Sequence, residues 1–201
     1  VVTTKHREAM KKFLLTSIAL VCLFMNANAQ LVLSPDGFIS AADSTKNYIV
    51  VDMKGGQADL YKQVKGAVLS MFRSPKDVLS ESAPEMLTIN GFAEDGIVIP
   101  KALGLKMTYD VNFTISFKFR DGKVRVDAPS FICKNTSMGD KTVELVLRGG
   151  SNYGFGKTTV NSIYNKKGDK ANEKEKKIVE DFFNQLISKI ITTASKQGED
   201  W

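Results

Sequence analysis

The sequence predicts a two-layer α+β domain: an antiparallel sheet with two helices, one near the N-terminus and one long and C-terminal, packed on one face. Three observations predict it. From Leu105 to Arg120 every odd position is apolar and every even one polar, which requires a strand with one buried and one wet face. Asp121-Gly122 then signals a two-residue hairpin. Finally, Gln57–Phe72 and the segment after Asn172 each carry an apolar stripe at helical spacing.

The return strand of the hairpin, Lys123 to Ala128, keeps the alternation. A two-residue turn sets Arg120 opposite Lys123, Phe119 opposite Val124, Phe117 opposite Val126 and Ile115 opposite Ala128, so turn and pattern agree on register. In the first helix the stripe is Leu60, Tyr61, Val64, Val68, Met71 and Phe72, and Ser74-Pro75 ends it. In the last helix it is Ile178, Phe182, Leu186 and Ile190, with Val179, Phe183, Ile187 and Ile191 beside it. Phe182 and Leu186 are expected in the core. Asn172 with Glu175 three residues on fits an N-cap and its box partner. Ser34-Pro35-Asp36-Gly37 marks a turn between short apolar stretches, and Tyr48–Met53, Val78-Leu79, Met86–Phe92 and Thr142–Arg148 read as further strands. Glu94-Asp95-Gly96 reads as a turn, 149–156 as a glycine-rich loop and 166–177 as a charged connector.

Within Tyr48–Phe92 a strand is followed by a glycine, then a helix with Leu60-Tyr61 near its start and Phe72 at its close. Val78-Leu79 open the next strand, and Ile89 and Gly91 sit in the one after. This run resembles a family of secreted bacterial proteins of unknown function with a TATA-binding-protein-like fold. The family often has a tryptophan in the middle of the first helix, where this chain has Gly66-Ala67-Val68. The resemblance implies the fold and an exported protein of a Gram-negative bacterium. It implies neither DNA binding nor any catalytic residue.

Met10 opens a secretory signal. Lys11-Lys12 are its positive start, Phe13 to Met25 its apolar run, and Ala27-Asn28-Ala29 its small-x-small cleavage site. The run is shorter than the ~20 residues of a membrane span. Val21, before Cys22, is not the small residue that lipid attachment there would need. The cut is expected between Ala29 and Gln30, with residues 1–9 as sequence upstream of the true start, 10–29 as the signal, and 30–201 as one domain. The mature protein is then periplasmic or secreted, without a transmembrane segment. Removal of Lys5, Arg7, Lys11, Lys12 and Glu8 with the signal lowers the net charge from +6 to +3. That modest value, in an exported protein, argues against nucleic acid as a partner.

The chemistry is narrow. The one histidine, His6, precedes the signal, so the mature chain has no Ser-His or Cys-His pair and no usual zinc set. No metal or cofactor is expected. Gly154-Phe155-Gly156-Lys157-Thr158 misses the spacing of a phosphate-binding loop by one residue, since Ser151 stands where a glycine is needed. Cys133 reads as a small buried hydrophobe. Asp110 and Asp127 lie on the polar face of adjacent strands, as a carboxylate pair would, but solvated sheet charges are the simpler reading.

One surface feature stands out. The hairpin register sets Lys118 opposite Arg125 and Arg120 opposite Lys123 on the polar face, a compact positive patch. It could contact an anionic lipid, a glycan or an acidic protein. The function expected is a non-enzymatic binding module of the envelope. The alternative is a carrier holding an apolar small molecule between sheet and C-terminal helix.

Overall fold

The computed structural model describes residues 29–72, 78–138, 141–149 and 158–198. Strands β1 (Leu31–Ser34) and β2 (Gly37–Ser40) pair as a separate hairpin around the expected turn. They are followed by β3 (Tyr48–Asp52), helix α1 (Gln57–Met71), β4 (Leu79–Ser82), β5 (Met86–Pro100), β6 (Lys106–Arg120), β7 (Lys123–Asp127), β8 (Ser130–Met138), β9 (Lys141–Arg148), β10 (Thr158–Tyr164) and helix α2 (Glu173–Gln197). The main sheet runs β10-β9-β8-β6-β5-β4, with β7 joining β6 to β3. This is an α+β fold with a curled sheet and two helices. The expectation of a wholly antiparallel sheet is corrected at one edge, where β10 runs parallel to β9. Thr158–Tyr164 carries no clean alternation, so this strand had no signature.

β6 is the strand around which the others assemble. One of its edges pairs with β5, while the other pairs first with β8, over Asp110–Thr114, and then with β7, over Phe117–Arg120. Its alternation does what the pattern requires: Tyr109, Val111, Phe113, Ile115, Phe117 and Phe119 are all buried. The β6–β7 register is the expected one from Arg120↔Lys123 to Phe117↔Val126. The expected Ile115–Ala128 pair is not part of the ladder, because the register steps by one residue at Ala128-Pro129, where proline has no N–H to donate.

Glu94-Asp95-Gly96 is a bulge, not a turn. Asp95 takes the left-handed conformation (φ 48°), and β5 resumes pairing at Ile97↔Tyr109. Burial of Ile97 and Ile99 rewards the continuation.

The hairpin tip caps α1. Asp121 Oδ1 accepts from the Gln57 N–H at 2.8 Å, and Gln57 Nε2 donates to the Phe119 carbonyl at 2.9 Å. Leu60, Tyr61, Val64, Ala67 and Val68 are buried, as the spacing predicts. The two helices meet closely at Gly66, where a Cβ would stand 2.6 Å from Gln197 Oε1.

Asn172 caps α2 by accepting from the Glu175 N–H. The Glu175 carboxylate does not return to complete a capping box; it pairs with Lys101 at 2.7 Å, at the root of the β5–β6 turn. The buried stripe of α2 is Val179, Phe183, Ile187, Ile190, Ile191 and Ala194, whereas Ile178, Phe182 and Leu186 are only half-buried on its flank. This corrects the expected order of the two stripes. The cause lies on the next helical line, where Glu180 and Asn184 hold the backbone of β1. The Leu33 N–H donates to Glu180 Oε1 at 2.7 Å, the Leu31 N–H donates to Asn184 Oδ1 at 3.1 Å, and Asn184 Nδ2 donates to the Leu31 carbonyl at 2.8 Å. With β1 fastened there, α2 can only turn its 179–183–187 line inward.

Phe183 then contacts Phe38 of β2, Phe113 of β6 and Phe131 of β8 at centroid distances of 5.3, 5.9 and 5.1 Å. Truncation of Phe183 or Phe117 to alanine should cost about 3–5 kcal/mol in chemical denaturation. Phe182→Ala should cost less than either, since its ring is already partly wet; an equal loss would mean that the helix rotation is misassigned.

Candidate functional site

The side of the sheet that turns away from the core is a mainly polar surface. Its rows follow the register. Thr88 bonds Ser116 at 2.9 Å, and the Thr114 hydroxyl donates to Asn90 Oδ1 at 2.9 Å. Next come Phe92, Asn112 and Ile132, aligned across β5, β6 and β8. Beyond them Asp110, Lys134 and Glu144 are aligned, with Lys134 and Glu144 paired at 3.0 Å.

The row of Phe92, Asn112 and Ile132 is chemically different from its neighbours. Phe92 is 59% exposed and Ile132 57%, with the exposed Asn112 between them. They border an open groove of about 470 Å³, whose other lining residues include Asn90, Thr114 and Ser130. Among the described residues no charged side chain lines it. The groove therefore offers aromatic and aliphatic surface together with amide and hydroxyl hydrogen-bonding groups, the mixture found in ligand sites. Reasoning from the sequence missed this row, although a signal was present. Phe92 is in phase with Thr88 and Asn90 on the wet side of β5, and out of phase with Leu87 and Ile89.

The basic patch lies at the other end of the same face. Lys118, Arg120, Lys123 and Arg125 are paired as the register requires. Asp127 sits among them and bridges two, Lys118 Nζ at 2.9 Å and Arg125 Nε at 2.6 Å. Arg125 also covers the Tyr48 ring at 3.7 Å from its centroid. Arg120 and Lys123 make no ion pair among the described residues. Asp127 thus offsets one of the patch's four charges, and the two cations without an ion pair stand at the hairpin tip.

Asp110 and Asp127 do not come together. Asp110 accepts from the Asp95 N–H at 2.9 Å and serves the bulge. Asp127 lies next to Val126, the partner of Phe117, roughly 20 Å along β6 at the rise of a strand. A carboxylate pair for hydrolysis needs about 5–9.5 Å. Among the described residues no three His, Cys, Asp or Glu side chains converge as metal ligands, and no helix is long and apolar enough to cross a membrane. Cys133 is buried, and burial pushes its thiol up to about 12. The phosphate-loop-like residues 154–157 lie outside the described residues, as does the signal segment up to Asn28, Ala27 included. Ala29 is buried in the core cluster, and the Gln30 carbonyl accepts from Ala41.

No family model matches the chain, and no curated protein matches it. Two solved structures are similar over 73% of it. One is a TBP-like protein from Parabacteroides distasonis, 9% identical, with 90% of that chain covered and a TM-score of 0.48. The other is a DUF4468 family protein from Bacteroides ovatus, 12% identical, with 84% of that chain covered and a TM-score of 0.51. The chain has the fold of the Bacteroides ovatus structure. It is the fold implied by the resemblance of Tyr48–Phe92. At such identities the likeness concerns the fold alone, and the site must be argued from the residues above.

The Cys133 environment gives a direct check. Its thiol should resist alkylation in the native protein up to about pH 9 and react at once in denaturant. A folded-state value raised from 9.0 to about 12 favours the folded form fully below pH 9, and that contribution should fall as the pH rises from 9 towards 12. Fast alkylation at neutral pH would show that β8 is displaced.

Proposed function

We propose that this protein is a non-enzymatic binding module of the bacterial envelope, and that the solvent face of its sheet is the working surface. The row of Phe92, Asn112 and Ile132 carries the reading. Phe92 and Ile132 are the most exposed large apolar side chains on this mainly polar face, well beyond Val50 and Val98, with nothing in the core to gain from them. The groove beside them suits a partner of mixed apolar and hydrogen-bonding chemistry, a glycan or a protein surface. The basic corner extends the same face and adds Arg120 and Lys123 for an acidic or anionic element of the partner. In this reading the two helices form the second layer, and leave the opposite face open.

Export rests on the signal segment Met10–Ala29. Cleavage before Gln30 leaves β1 whole, so that Leu31 and Leu33 can take their places against α2. The periplasm or the cell exterior is the compartment that follows.

The carrier alternative is less well supported. It needs an apolar cavity of at least ~300 Å³ between sheet and α2. Phe38, Phe113, Phe131 and Phe183 fill that space with ring contacts of 5.1 to 5.9 Å.

Photo-crosslinking in the producing bacterium tests the proposal. A photoreactive residue at position 92 or 132 should give a discrete adduct, and one at Lys62, exposed on α1, should give none. Equal labelling from Lys62, or no adduct from either sheet position, would contradict it.

A further inference from the structure

The β5–β6 connection has a composition that its fold does not explain. The two strands pair out to Pro100↔Lys106, and a 3-10 turn over Ala102–Gly104 closes them. The Lys101 N–H donates to the Leu105 carbonyl at 2.8 Å, and the Leu105 N–H to Ala102 at 3.2 Å. Ala102 to Lys106 are exposed without a break. Leu103 is 97% exposed and Leu105 66%.

Leu103 also holds the left-handed conformation, φ 57° and ψ 28°. Glycine, asparagine or aspartate fits that conformation with less strain. Leucine at this point is therefore strained, wet and unpacked at once. Turn formation does not call for it and the core gains nothing from it, so its apolar surface is directed at something outside the molecule.

The charges around the turn identify that partner. From Ile97 to Thr108 the chain has no acidic residue, while Lys101 and Lys106 flank the leucines on either side. Lys101 is tied at 2.7 Å to Glu175, whose side chain is 8% exposed, which fastens the root of the hairpin to the start of α2. Lys106 is exposed and makes no ion pair among the described residues. An exposed apolar turn flanked by two lysines, Lys106 unpaired and Lys101 held by Glu175, is the chemistry of an interfacial lipid anchor. The leucines enter the boundary between headgroups and acyl chains, and the ammonium groups remain among the phosphates. A protein partner would require a complementary pocket and, for a standard interface, about 800 Å² per side, far more than one five-residue turn presents.

We infer that the Pro100–Lys106 turn is a membrane-docking tip that inserts Leu103 and Leu105 into an anionic bilayer surface. This does not depend on what the sheet face binds. Docking through the tip would hold that face beside the membrane.

The test uses the purified full chain with vesicles of phosphatidylethanolamine and phosphatidylglycerol, and with phosphatidylcholine alone as the neutral arm. Leu103→Trp in a Trp201→Phe background places the only indole at the tip, so the readout is local whatever the N-terminal segment does. Its emission should shift to the blue with anionic vesicles, be quenched by brominated acyl chains, and recover as salt is raised. In the otherwise native chain, Leu103→Asn/Leu105→Thr should lower anionic-vesicle partitioning by about tenfold or more, with an unfolding midpoint no lower than the native one. Asparagine accepts the left-handed backbone, so the turn survives the change. No shift at low salt, an equal shift with neutral vesicles, or partitioning of the double variant within about twofold of the native chain would overturn the inference.

Discussion

The ring of Phe113 lies over Gly91, and most of the architecture follows from the space that glycine leaves. A Cβ at Gly91 would stand 2.2 Å from Phe113 Cζ, so any other residue there would drive the ring from its place. From that position Phe113 meets Phe183 edge-on at 5.9 Å, and Phe183 in turn meets Phe38 and Phe131. Four parts of the chain far apart in sequence are joined in one cluster: the N-terminal hairpin, the central strand, the strand after the β7 turn, and the C-terminal helix. Edge-to-face contacts of this kind add to simple burial and constrain orientation, which a smooth aliphatic interface would not. The side chains of Glu180 and Asn184 complete the arrangement by satisfying the β1 backbone, so that the rotation of α2 is set by hydrogen bonds as well as by packing.

A strand committed so fully on one face leaves the other free. The odd residues of β6 belong to the core, and its even residues, Thr108 to Lys118, display hydroxyls, amides and charges in register with those of β5, β7 and β8. Hydrogen bonds along the rows fix these groups in place, as Thr114 to Asn90 and Thr88 to Ser116 show. A display surface of this kind is pre-organised, so a partner loses little in ordering it. Phe92 and Ile132 are conspicuous because they are more exposed than the other apolar residues of this face, Val50 and Val98.

What could be read from the residues was whatever had a period. The sixteen positions from Leu105 to Arg120, with Asp121-Gly122, specified β6, β7 and four of their cross-strand pairs. The helices were legible from their stripes, and Asn172 from its spacing to Glu175. Decisions set by distant contacts were not legible. Which of two adjacent stripes on α2 faces inward depends on β1, about 150 residues away. Whether Glu94-Asp95-Gly96 turns the chain or bulges a strand depends on whether Ile97 and Ile99 find partners on β6. β10 pairs parallel through its backbone to β9 and carries no alternation to announce it. On the solvent face, the sequence showed four cations in register, but not that Asp127 would bind two of them.

The account stands on one division: Phe113 and Phe92, two residues on paired strands, lie on opposite sides of the sheet. Aromatic nuclear Overhauser effects measure it directly. The Phe183 ring protons should show contacts to Phe38, Phe113 and Phe131, and none to Phe92. Contacts from Phe183 to Phe92, or the absence of any to Phe38, would contradict both the core and the displayed face described above.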